Sequence, residues 1–151
     1  MSFIHRHADY LKQFDNVSKY ESIVKKVCRY IRQSKLEFSH IAVAGISGMT
    51  IGGPVALRLK KNLIVVRKGE HSHSSELVEG VPINDKPFQY IIVDDCVDTG
   101  ETVFNIYNGI HTVNKNATPL SVIEYYYRKV CERKIMGFVD FYREYYLGRN
   151  S

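Results

Sequence analysis

The chemistry-bearing residue types of this chain concentrate in Asp94-Asp95-Cys96-Val97-Asp98-Thr99-Gly100-Glu101-Thr102. Carboxylates accept hydrogen bonds and hold hydrated cations, so Asp94 and Asp95 suit a ribose diol or Mg²⁺. They would repel a phosphate. Thr99 and Thr102 supply hydroxyl donors, and Gly100 lets a bound group come close to the backbone. The run leads into Val103 to Ile110, where Val103, Ile106, Tyr107 and Ile110 share one helical face. A loop entering a helix offers unpaired N–H groups and the positive end of the dipole, which suits a phosphate. A phosphate site beside a diol site describes a ribose phosphate. The plainer alternative is a strand-turn-helix junction with an acidic turn and a Thr cap.

A strand must hold these groups in place. Tyr90-Ile91-Ile92-Val93 is a short apolar run, as expected for a central strand buried on both faces. With that strand in front, Val93 to Thr102 closely resembles the phosphoribosyl-diphosphate (PRPP) signature of the type I phosphoribosyltransferases. Hydrophobic strand, acidic pair and Thr-Gly-x-Thr loop follow one another here in the family's order and spacing. The resemblance implies that Asp94 and Asp95 bind the ribose hydroxyls, and that Asp98, Thr99, Gly100, Glu101 and Thr102 wrap the 5-phosphate. It implies Mg²⁺ as cofactor, near Asp94 and Asp95 directly or through water. The implied reaction is transfer of phosphoribose from PRPP to a nitrogenous base with release of diphosphate. Asp98 stands where 6-oxopurine enzymes of the family place a catalytic aspartate, which tilts the base toward a purine. PRPP synthetases carry aspartate there too.

Other stretches take family places in turn. Ile41 to Ala44 is a second buried-strand candidate, followed by a glycine-containing loop, Gly45 to Gly53, and a helical segment from Pro54 to Lys61. The loop lacks a Walker lysine and the dinucleotide Gly-x-Gly-x-x-Gly pattern. Ser47-Gly48-Met49 resembles the family's pyrophosphate loop, making Ser47 and Gly48 PRPP candidates. It is shorter than the adenine-type loop and lacks its basic residue. Small residues here would equally permit close packing of helix on strand. Leu63 to Lys68 reads as the next strand, and its terminal cations Arg67 and Lys68 stand where the family reaches the diphosphate. Gly69 to Gly80 is polar, serine-rich and aperiodic, in the position of the family's catalytic lid. Closure of such a lid keeps water from an oxocarbenium-like transition state. His71 and His73 would then meet the leaving diphosphate, or simply face solvent.

The remaining elements frame these. Residues 1 to 13 and 17 to 33 read as helices, the second amphipathic through Val17, Tyr20, Val24, Val27 and Ile31 with a basic far face. His5 and His7 lack a third ligand nearby and read as surface residues. Pro119 to Tyr127 is a further strand. The aromatics Phe138, Phe141, Tyr142, Tyr145 and Tyr146 could stack on a base, though core or dimer packing is the commoner use.

At 151 residues the chain is long enough for one domain with a proper core. We expect a single domain over 1–151, with a helical N-terminal segment at 1–38 and the core at 39–151. The expected fold is α/β: a mainly parallel sheet of about five strands flanked by helices. No apolar run reaches membrane-spanning length, and the start lacks a signal-peptide core. Cys28, Cys96 and Cys131 are odd in number and form no CxxC, which argues for a reducing, cytoplasmic setting. The net charge of +5 fits an enzyme for a polyanionic substrate or a nucleic-acid binder. No aromatic-basic RNA motif accompanies it, so the expected partners are PRPP, a nucleobase and a second copy in a homodimer. A PRPP-sensing protein of the same fold, binding nucleic acid through its positive surface, is the rival reading.

Overall fold

A computed structural model of the chain describes residues 14–67, 77–97, 99–126, 129–134 and 143–144. Its centre is four parallel strands: β1 (His40–Ala44), β2 (Asn62–Val66), β4 (Phe88–Asp94) and β5 (Ala117–Tyr126). Two antiparallel strands complete the edges, β3 (Val78–Glu79) on β2 and β6 (Lys129–Lys134) on β5. The sheet runs β3-β2-β1-β4-β5-β6. The described residues thus form six strands, in keeping with the mainly parallel sheet of about five that was expected.

Helices cover both faces, as parallel strands buried on two sides require. Helix α1 (Val17–Ser34) and α2 (Gly45–Leu59) pack on one face, and α3 (Glu101–Val113) on the other. Alternation along the strands divides the core accordingly. Ile41, Val43, Ile91, Val93 and Ile123 face α1 and α2, whereas Ala42, Ile64, Tyr90, Ile92 and Val122 face α3. Pro119, which lacks an N–H, sits at the register shift where β4 and β5 fall out of step after Tyr90.

The N-terminus of α1 is fixed by Asn16, whose Oδ1 accepts from the Ser18 N–H at 2.8 Å and the Lys19 N–H at 3.3 Å. Its buried stripe is Val24, Val27, Cys28 and Ile31. Val17, expected on that stripe, is 79% exposed, because it stands in the first turn before the helix meets the sheet. The expected helix over 1–13, with His5 and His7, lies outside the described residues.

Helix α2 corrects the reading of Gly45 to Gly53 as a loop. The chain turns straight from β1 into helix at Gly45, whose φ is +67°. Gly48 and Gly52, four residues apart, lie on the face that meets β1. A Cβ on Gly52 would stand 2.2 Å from Val43 Cγ1, and one on Gly48 would stand 3.3 Å from Val43 Cβ. Glycine serves here as close-packing surface within a helix. The polar stretch 69–80 is also corrected at its far end, where Val78 and Glu79 pair with Val66 and Val65.

Candidate functional site

The strand order places β1 and β4 side by side, with α2 leaving β1 toward one edge and α3 leaving β4 toward the other. Connections diverge at that point, which opens a crevice at the carboxyl ends of the two strands. Asp94 ends β4 in this crevice. It is buried, and its Oδ1 accepts a hydrogen bond from the Asp95 N–H at 3.0 Å. Asp95, one residue on, is half-buried. The pair is thus split: one carboxylate is buried at the sheet end, the next half-buried.

The loop after them turns at Gly100, a buried glycine with φ +78°, a conformation that disfavours any Cβ. Thr99 Oγ1 accepts from the Glu101 N–H at 3.2 Å, and α3 begins. Its first-turn N–H groups face the loop rather than a preceding turn. Thr102 is half-buried in that turn and Glu101 is exposed.

The start of α2 closes the other side. A Cβ on Gly48 would lie 3.5 Å from the carbonyl oxygen of Val93, so this turn sits against the end of β4. The Tyr125 hydroxyl, from β5, donates to the carbonyl oxygen of Ser47. Ser47 and Gly48 are thereby brought to the strand end that carries Asp94.

Arg67 is placed differently. It follows Val66, the register partner of Ala44, and its guanidinium donates to Glu79 Oε1 at 2.9 Å while its buried Nε has no hydrogen-bond partner among the described residues. Asp98, Lys68, His71 and His73 lie outside the described residues, as do the late aromatics Phe138, Phe141, Tyr142, Tyr145 and Tyr146.

Two contributors escaped the sequence reading. Glu124 is the register partner of Asp94 on β5, and both carboxylates are buried. A lone acidic residue in the otherwise apolar-aromatic run Ser121 to Tyr127 was its signal. Tyr125 holds Ser47, a contact between residues 78 apart that no local pattern announces.

Among the described residues no group of three or more His, Cys, Asp or Glu side chains forms a metal cage. Mg²⁺ needs none: it keeps several waters and takes one or two carboxylates plus substrate oxygens. Asp95, half-buried at the end of β4 beside the buried Asp94, fits that use. Nor is any helix among the described residues long and apolar enough to cross a membrane.

No protein-family model matches the sequence, and no curated protein matches it. Solved structures do match the fold. It superimposes on adenine phosphoribosyltransferase from Thermoanaerobacter pseudethanolicus with a TM-score of 0.60 and 17% identity, over 74% of this chain and 70% of that one. Orotate phosphoribosyltransferase from Aeropyrum pernix gives 0.60 at 21% identity, over 74% and 61%. UMP synthase from Leishmania donovani gives 0.57 at 19% identity, over 70% of this chain and 22% of that far longer one. The chain thus has the mostly parallel α/β fold of the type I phosphoribosyltransferases.

Proposed function

We propose that this protein transfers 5-phosphoribose from PRPP to a nitrogenous base, a purine by preference, releasing diphosphate. One observation carries the reading: the first turn of α2 packs on the Val93 carbonyl, at the end of the strand that carries Asp94 and leads through Asp95 into the Thr99–Thr102 turn. A ribose phosphate fits that arrangement. The α3 start and the Thr99 and Thr102 hydroxyls take the 5-phosphate, Asp95 accepts from the ribose diol, and Asp94 braces the turn through the Asp95 N–H. Ser47 and Gly48 take the diphosphate side. Mg²⁺, held by Asp95 and substrate oxygens, would neutralise the departing diphosphate. The protein's own contribution is orientation and fixed charge around the anomeric carbon. Asp98 would serve the base as proton acceptor.

The test is incubation with PRPP, Mg²⁺ and a panel of purine and pyrimidine bases, following diphosphate release. Release that depends on one base supports the assignment, and none with any base overturns it.

A PRPP-sensing role is favoured by a different observation. Arg67, which the family resemblance sets toward the diphosphate, is engaged by Glu79. Turnover asks for cations at the leaving group, whereas affinity alone is less demanding. PRPP binding by calorimetry without diphosphate release from any base would select this role.

A further inference from the structure

At the far end of α2 from the crevice, α1 and α2 enclose an open cavity of about 570 Å³ lined by Lys25, Cys28, Arg29, Arg32, Gln33 and Arg58. Arg58 lies thirteen residues beyond Gly45, roughly 20 Å along the helix at about 1.5 Å per residue. Among the described residues the lining holds four cations and no carboxylate. Lys25, Arg29 and Arg32 recur at helical spacing on one face of α1, and Arg58 reaches in from α2. Cys28 forms the floor, since it is buried. The thiol is pushed up by burial, against the pull of the Arg32 and Arg58 charges.

Four cations around one hollow repel one another, and the protein compensates only part of that charge. Glu21, on the rim, pairs with Lys25 and with Arg58, each at 3.1 Å. Among the described residues no carboxylate lies within ion-pair range of Arg29 or Arg32. Two guanidiniums without a counter-charge among the described residues are matched by phosphate oxygens, which they bind in a bidentate fork. Among the described residues no aromatic side chain lines the hollow for base stacking. A compact oligophosphate suits it better than a nucleic-acid strand.

We infer that the Lys25–Arg29–Arg32–Arg58 hollow is an oligophosphate-binding site separate from the β1/β4 crevice. The inference does not depend on the proposed transferase activity.

Calorimetric titration of the full chain with inorganic tripolyphosphate, beside orthophosphate and a short DNA duplex, tests it. Tripolyphosphate should bind more tightly than orthophosphate or the duplex. Arg29→Ala/Arg32→Ala should lower its affinity at least tenfold with the melting curve preserved, since both side chains are exposed. Lys19→Ala, on α1 outside the hollow, and Thr99→Val/Thr102→Val in the crevice should leave that affinity unchanged. Absence of binding, unchanged affinity in the double arginine variant, loss in the crevice variant, or tighter binding of the duplex would each overturn the site. Its failure leaves the diphosphate-release assay untouched, so the two readings fall separately.

Discussion

Tyr20 on α1 donates its hydroxyl to the main-chain carbonyl oxygen of Thr50 in α2, the carbonyl whose partner four residues on would be Pro54. Proline has no N–H, so the helix cannot satisfy that carbonyl itself. Burial raises the Tyr20 pKa, which keeps the phenol protonated as a donor. A second tyrosine hydroxyl, from Tyr125, donates to the carbonyl of Ser47 one turn earlier. Two tyrosines from different elements thus clamp the start of α2, the part that borders the crevice.

Tyr20→Phe should destabilise the protein by about 1–3 kcal/mol, the cost of a partly buried carbonyl left unsatisfied. Pro54→Ala restores the missing N–H. In that background Tyr20→Phe should cost markedly less, giving a coupling of about 0.5 kcal/mol or more in a double-mutant cycle read by urea unfolding. Strict additivity would show that the proline and the tyrosine are unrelated.

Gly52→Ala should be damaging although Ala is the better helix former. The new Cβ would meet Val43 Cγ1 at 2.2 Å, and Val43 is fully buried in the sheet centre. Overpacking of this kind costs about 1–3 kcal/mol. Val43→Ala should recover part of the loss when combined with it. A more stable Gly52→Ala protein would contradict the close packing of α2 on β1.

These contacts mark where sequence reasoning stopped. Strands β1, β2, β4 and β5 were legible because each is an apolar, β-rich run. Strand β3 is only two residues long, and β6 carries Lys129, Glu132, Arg133 and Lys134, so their pairing comes from the neighbouring strand rather than their own composition. Gly48 and Gly52 looked like a loop because glycine disfavours helix locally. Their spacing becomes a packing face only once Val43 is known to lie opposite. The Asp94–Thr102 stretch was legible because its chemistry is local in sequence. Glu124 and Tyr125 were not, since register and tertiary contact bring them there.

His40 gives the fold a pH dependence. It is buried at the start of β1 against the Phe88 ring, with ring centroids 4.6 Å apart, and burial lowers its pKa below the ordinary 6.5. A histidine held neutral binds fewer protons folded than unfolded in the interval between its two pKa values. Stability therefore rises with pH through that interval and falls as the pH drops below 6.5 toward the folded value. Thermal unfolding midpoints should decline on going from neutral to about pH 5, where the unfolded histidine charges. His40→Asn should flatten that part of the slope, and an unchanged slope would remove His40 as its origin.

Thr102→Val probes the proposed 5-phosphate site. Among the described residues its hydroxyl carries no cap bond, whereas Thr99 Oγ1 accepts from Glu101 N–H and shapes the helix start. Thr102→Val should weaken PRPP binding by about 1–3 kcal/mol, one charge-assisted hydrogen bond, with little change in melting. Thr99→Val should lower both affinity and stability, the latter by about 0.5–2 kcal/mol. Equal PRPP affinity in the folded Thr102 variant would remove it from the phosphate site.

Asp94 and Asp95 should separate cleanly under mutation, because the structure gives them different surroundings. Asp94 is buried and its Oδ1 receives the Asp95 N–H. Asp94→Ala leaves that N–H without its acceptor and opens space beside the strand end, so it should destabilise by about 1–3 kcal/mol. Asp95 is half-exposed at the crevice, and Asp95→Asn keeps its shape while removing a charge and one acceptor oxygen. Its melting curve should barely move, since Asn suits a turn. Its PRPP affinity or diphosphate release should fall about tenfold or more, the scale of one charged hydrogen bond. An acidic turn with only a structural role predicts the opposite for Asp95→Asn, a loss of stability with PRPP binding unaltered. Melting curves of both variants, set beside calorimetric titrations with PRPP and Mg²⁺, distinguish a ribose-binding carboxylate from a structural one.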